Sequence, residues 1–383
     1  MSAKLTTIDG QPSWTIRNTC MQVSLTKLGG HLGGVSFHRN GNHRAEPYFT
    51  APWATEPGKI ADPVLIPLRG DFFCLPFGDN ATPVDGQQHV CHGDPATRNW
   101  TLKSLRQTGI DATLVATIRS RKLPGKITKT LHLPQDQNTI YSRHRLEGFD
   151  CTTSIGHHAT LALPTTPGAL LVSTSKFGLG MTTPERIDDP ATGSYQAFAP
   201  GETFTSLKKV PLNFARAPFG DCTRFPTRPG FDDILGVFKT PTQTPAWTTA
   251  VNSEAGSLWY SFKDAAVLPG TVFWMANGGI HGAPFNGRTR CIGLEDVCGC
   301  FAQGLAESRG RNAVNRAGFP TTITLKPDVP TTINYMQGVI KVPFTFGRVT
   351  KVAFAPGTVT FTGQSGKTAT INANWEFLTT GEL

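Results

Sequence analysis

The chain has 383 residues, of which 16% are charged, with a formal net charge of +9 and with 40 glycines and 29 prolines. So little charge excludes a disordered or coiled-coil composition, and this much glycine and proline suits many short strands joined by tight turns. The positive excess is thinly spread: Arg119-Ser120-Arg121-Lys122 and Lys208-Lys209 are short and isolated, so no nucleic-acid partner is expected.

No window approaches the roughly 18 uninterrupted apolar residues of a membrane span, and residues 1–9 lack the apolar stretch of an export signal. A cytoplasmic protein with no membrane contact is expected, its eight cysteines reduced. Cys298 and Cys300 have no second pair at zinc spacing, so no metal is expected.

Residues 14–19 and 21–26 alternate apolar and polar side chains and read as two early strands. The glycines around His31, at 29, 30, 33 and 34, read as a hairpin turn, because no helix-forming segment follows to complete a phosphate cradle. Residues 40–66 are loop-like, and Tyr48, Phe49 and Trp53 suit either a sugar-stacking surface or core packing. Residues 114–118, 126–133 and 139–146 alternate with period two and predict consecutive antiparallel strands, with His132 and His144 as structural members.

Residues 154–164 form another strand candidate, and its adjacent His157 and His158 must point to opposite faces. Following Ala159, Leu161 and Leu163 as the apolar face assigns His157 to that face and favours His158 for a cleft. Residues 165–250 look turn-rich, and Asp232-Asp233 before an apolar run reads as a turn cap or as a ligand-binding pair. Residues 256–262 and 271–276 are aromatic-rich strands, followed by a glycine- and asparagine-rich loop containing His281. Next comes the segment 290–299, where a short apolar run leads to Glu295 just ahead of glycine. At the end of a buried strand such a carboxyl points into a cavity and gains the raised pKa of a general base. Its bland alternative is an ion pair with Arg288 or Arg290. The last 60 residues are β-rich and carry no evident chemistry. Strand after strand with little helical periodicity predicts an all-β protein, a large antiparallel β-sandwich formed by one domain over 1–383.

Two stretches carry a resemblance: Arg69-Gly70 followed by Pro76 and Gly78, then His92-Gly93 followed by Thr97, Arg98 and Trp100. In type, order and spacing they resemble the aldose 1-epimerase and hexose-6-phosphate mutarotase superfamily. The resemblance implies the galactose mutarotase-like β-sandwich, interconversion of the α and β anomers of a hexose by acid–base catalysis, and no cofactor. It further implies Glu295 as base, His158 or His157 as acid, and Arg69, His92, Arg98 and Asp232 or Asp233 (Asp233 in particular) as sugar-binding groups. Phosphorylated substrates in this superfamily go with an extra arginine soon after the His-Gly pair, where this chain has Asp94-Pro95-Ala96. The small-molecule partner is thus a sugar or sugar phosphate. The competing readings are a non-catalytic carbohydrate-binding protein, and a glycoside-cleaving enzyme, which needs two flanking carboxylates.

Overall fold

Two large sheets carry the fold of the computed structural model, which describes residues 4–41, 44–108 and 110–383. About 46% of it is strand and 6% helix, so the chain is all-β, as its alternation predicts. The nine-stranded sheet contains the expected meander: Thr101–Gln107, Ala112–Ser120, Gly125–Leu133 and Thr139–Glu147 each pair antiparallel with the next. In Ala112–Ser120 every second residue from Ala112 is buried, the signature of one face toward a core.

The seven-stranded sheet holds, in spatial order, Leu179–Thr182, Phe231–Phe238, Gly270–Asn277, Arg290–Cys298 and Ile155–Ala162, with a two-residue strand at each edge. Its inner face meets the nine-stranded sheet in one core, where Leu114, Ile127 and Ile333 join Leu161, Phe273 and Leu294. Its outer face is also covered, because residues from the segment 49–96, among them Phe49, Trp53 and Phe72, pack against Val272, Ala276 and Val297. Arg290–Cys298 is therefore buried at every position after Arg290. A C-terminal sheet of Val349–Ala355, Thr358–Gly363 and Thr368–Asn372 covers the nine-stranded sheet in the same way, with Phe361 against Tyr260 and Phe262.

Double coverage corrects one expectation. The turn-rich reading of 165–250 hides the strands Phe231–Phe238 and Ala246–Asn252, because a strand buried on both faces loses the alternation that betrays it. It also lets one strand carry two adjacent buried carboxyls that face opposite ways. Glu295 points outward. Asp296 points into the core, 2.6 Å from Lys263 Nζ, and accepts hydrogen bonds from Ser261, Thr271 and Tyr335 at 2.7–3.1 Å. Burial alone would raise the Asp296 carboxyl; Lys263 and Lys239 outweigh it and hold the group below the ordinary value.

Since this ion pair ties the two sheets together, Lys263→Met is expected to lose about 3–5 kcal/mol of stability by leaving a buried carboxylate unpaired. Urea unfolding followed by tryptophan fluorescence measures it, and Asp296→Leu in the same chain should restore part of the loss.

Candidate functional site

Ile155–Ala162 runs antiparallel to Arg290–Cys298 in a register that sets His158 opposite Glu295 and His157 opposite Asp296. Alternation then sends the first pair outward and the second into the core. Outside, His158 Nε2 lies 3.2 Å from Glu295 Oε1, and His158 Nδ1 lies 3.0 Å from Thr160 Oγ1. Glycine at 293 makes room for this contact: on the same face two residues earlier, a methyl group would strike Glu295 Oε1 and crowd Trp274. Glu295 sits inside its strand rather than at the expected end, since pairing continues to Cys298.

His92 arrives from a different direction. It has φ +57° and caps the short helix Gly93–Thr97, whose first residue has φ +76°. A side chain at 93 would run into the Leu75 carbonyl, which is why the turn reads His-Gly. The Gly78 N–H donates to His92 Nδ1 at 3.3 Å, leaving Nε2 as the ring's own donor. The His92 and His158 rings stand 4.8 Å apart and nearly perpendicular, at 87°. Phe72 lies flat against His158 at 4.5 Å, held there because its backbone carbonyl accepts the His158 N–H at 2.9 Å.

These groups line a cavity of about 230 Å³, of monosaccharide rather than oligosaccharide size. Phe72, Trp274, Phe285 and Leu68 give it apolar walls; Asp62, Asp79, His92, His158 and Glu295 supply the polar atoms. No lysine or arginine lines it among the described residues. Burial, and then the Asp296 charge, push the Glu295 carboxyl well above its ordinary range. Burial, followed by neighbouring His92, holds His158 well below, and burial alone takes His92 down to about 3. Both partners of the contact are thus driven to their neutral forms. The consistent assignment has His158 Nδ1–H donating to Thr160 and Nε2 accepting from a protonated Glu295, with one proton between carboxyl and imidazole.

The structure brings together three of the residues expected from the sequence: Glu295, His158 and His92. They form one contiguous cluster, rather than a carboxylate and an imidazole facing each other across a gap. His157 takes the opposite face, with Nδ1 2.9 Å from Asp71 and the ring stacked on Tyr335. Arg69 is turned away: its guanidinium donates to the carbonyls of Pro67, Ile8 and Asp9 at 2.9–3.0 Å, fastening the N-terminal segment. Arg98 binds Asp94 and the Arg119 carbonyl, each at 3.2 Å, outside the cavity. Asp233 faces inward to a separate cavity and accepts the Ala197 and Phe198 N–H groups at 2.8 Å, while Asp232 lies on the outer side beside Trp274. Neither arginine offered as a partner for Glu295 takes that part: Arg288 pairs with Glu56 at 2.6 Å, and Arg290 reaches the Pro164 carbonyl. Tyr48 and Trp53 serve the packing, through hydrogen bonds to Gln337 and to the Leu65 carbonyl. Sequence reasoning missed Phe72, Asp62 and Asp79, which stand in loop segments without periodic signal, and Trp274, which it read only as part of an aromatic strand.

No protein-family model matches the chain, and neither does any curated protein. Solved structures do. A galactose mutarotase-like protein from Clostridium acetobutylicum aligns with a TM-score of 0.59 over 88% of this chain and 98% of its own, at 11% identity. A galactose mutarotase related enzyme from Lactobacillus acidophilus aligns with a TM-score of 0.56 over 86% and 98%, at 12% identity. A TPR-domain containing protein from Parabacteroides distasonis also aligns, at a TM-score of 0.54 over 90% of this chain and 50% of its own, with 10% identity. The chain therefore has the galactose mutarotase-like fold. Identities this low carry the fold alone, and the fold does not fix the chemistry.

Gly293→Ala should displace the Glu295 carboxyl, break its contact with His158, and cost about 1–3 kcal/mol. Nitrogen NMR of the His158 ring reads the broken contact as a shift of Nε2 with the rest of the spectrum retained.

Proposed function

We propose that the chain is an aldose 1-epimerase-like enzyme that interconverts the anomers of an unphosphorylated hexose in the Glu295–His158 cavity. The observation that carries this reading is the 3.2 Å contact between a buried carboxyl and a buried imidazole on neighbouring strands. Opening a hexose ring needs one proton removed from the C1 hydroxyl and one delivered to the ring oxygen. Both oxygens are bonded to C1, so an acid and a base in contact with each other can serve them from one side, and no gap between the two groups is required. Moving the shared proton from Glu295 onto His158 Nε2 yields a carboxylate and an imidazolium. The carboxylate takes the hydroxyl proton while the imidazolium gives its own to the ring oxygen. Rotation about C1–C2 and the reverse transfers close the ring as the other anomer, with no net change in protons. His92 Nε2–H is placed to orient a sugar oxygen, and Phe72 and Trp274 offer faces for the sugar's C–H groups. The absence of lysine and arginine from the lining, among the described residues, argues against a phosphate, which guanidinium forks ordinarily hold.

A cysteine nucleophile is disfavoured, because burial keeps the Cys91 thiol protonated. The withdrawal of Arg69 into backbone contacts favours a second reading, a sugar-binding protein without turnover. Polarimetry on freshly dissolved pure anomers separates the two: the catalytic reading expects faster mutarotation of glucose or galactose, and the binding reading expects the buffer rate. Glu295→Gln is expected to lose about 10²–10⁴ of the acceleration; a variant as fast as the parent would remove Glu295 from the chemistry.

The pH profile follows from the pair. The competent form holds one shared proton. A second proton adds only well below the ordinary histidine value, because His158 is lowered, and the first leaves only well above the ordinary glutamate value, because Glu295 is raised. The rate should therefore be bell-shaped with a broad plateau, its limbs belonging to the pair rather than to either residue.

A further inference from the structure

We propose that the cavity prefers a hexose bearing a protonated amino group over a neutral one, an inference that rests on the anomer-exchange reading of the same site. The chain is basic, at +9, yet its cavity is acidic. Asp62 and Asp79 line it together with Glu295. Asp79 is exposed to solvent, and partial desolvation by its surroundings, with Asp62, Glu307 and Glu185, raises its carboxyl. Burial also raises the adjacent Cys91 thiol, followed by Asp62, Asp79 and Glu295. No lysine or arginine enters either balance. The acids are also short of donors. Among the described residues the Asp62 carboxylate accepts only the Val64 N–H, at 3.2 Å.

Carboxyls that repel one another beside a half-enclosed cavity are relieved by a cation. The described residues contain no group of three or more His, Cys, Asp or Glu able to hold a metal ion, so the charge suits an organic ammonium instead. Phe72, Trp274 and Phe285 add ring faces, which attract ammonium groups. The nitrogen His92 Nε2, on a ring only 9% exposed, is left to meet a ligand oxygen. An amino sugar supplies each counterpart: a C1 hydroxyl and ring oxygen for Glu295 and His158, and an ammonium for Asp62 and Asp79. A sugar phosphate meets the same acids and is repelled.

The test compares 2-amino-2-deoxyglucose, glucose and glucose 6-phosphate as pure anomers at about pH 6, where the amine is protonated. We expect kcat/KM for the amino sugar to exceed that for glucose by roughly fivefold, the effect of about 1 kcal/mol at the upper end for solvent-accessible charge pairs. The difference should lie in KM, shrink as salt rises, and fall to about one in Asp62→Asn/Asp79→Asn, with circular dichroism reporting the fold. A wild-type ratio near one, or a ratio that survives the double variant, overturns the preference while leaving anomer exchange standing. If no sugar is turned over, the anomer-exchange reading falls, and calorimetric affinities for the same sugars decide the charge preference: a tighter amino sugar sustains it, and equal affinities overturn it.

Discussion

The hydrogen bond between His158 and Glu295 depends on a sheet that is dry on both sides. Neighbouring strands bring the two residues opposite one another by register alone, and any antiparallel pair could do as much. The outer layer supplied by residues 49–96 changes the chemistry, because it removes water from the face where both side chains stand. Without that layer Glu295 would be an ordinary ionised carboxylate and His158 an ordinary imidazole. With it, each is pushed toward its neutral form, so the shared proton rests on Glu295 and stays with the pair over a wide pH range.

The same two strands carry a second polar system on their inner face, and the contrast between the two is informative. Asp296 pairs with Lys263, feels the more distant charge of Lys239 and accepts from three hydroxyls, so its charge is answered and its role is to bind sheet to sheet. Glu295, one residue earlier, meets no cation, and the Asp296 charge behind it raises it further. Asp62, partly buried and accepting the Val64 N–H, and Asp79, exposed, also face no cation at the cavity among the described residues. The compensated buried charge of Asp296 serves the architecture, whereas the uncompensated Glu295 beside the cavity is the group on which the proposed function rests.

The meander over Thr101–Glu147 was legible because one face is apolar and the other is not, and period two follows directly. The choice between His157 and His158 was legible for the same reason: Ala159 and Leu161 mark the core face, and His157 shares it. Phe231–Phe238 was not legible, since burial on both faces erases alternation and its two aspartates imitate a turn cap. Asp232 and Asp233 are one residue apart, which on a strand is the whole thickness of the sheet, and Asp233 takes the face turned to a separate cavity. Arg69 shows a different limit. The sequence places it beside the site, but only coordinates reveal that the backbone carbonyls of Ile8 and Asp9 claim its donors first. Asp62 and Asp79 lie in loops, where no period exists to read.

Carbon-13 NMR of the Glu295 carboxyl, assigned by its absence in a Glu295→Gln variant and titrated with and without a free hexose, addresses the central claim most directly. The account predicts a midpoint well above the ordinary glutamate range in the empty protein and a clear displacement when the sugar is added. A midpoint in the ordinary range, unmoved by any hexose, would contradict it.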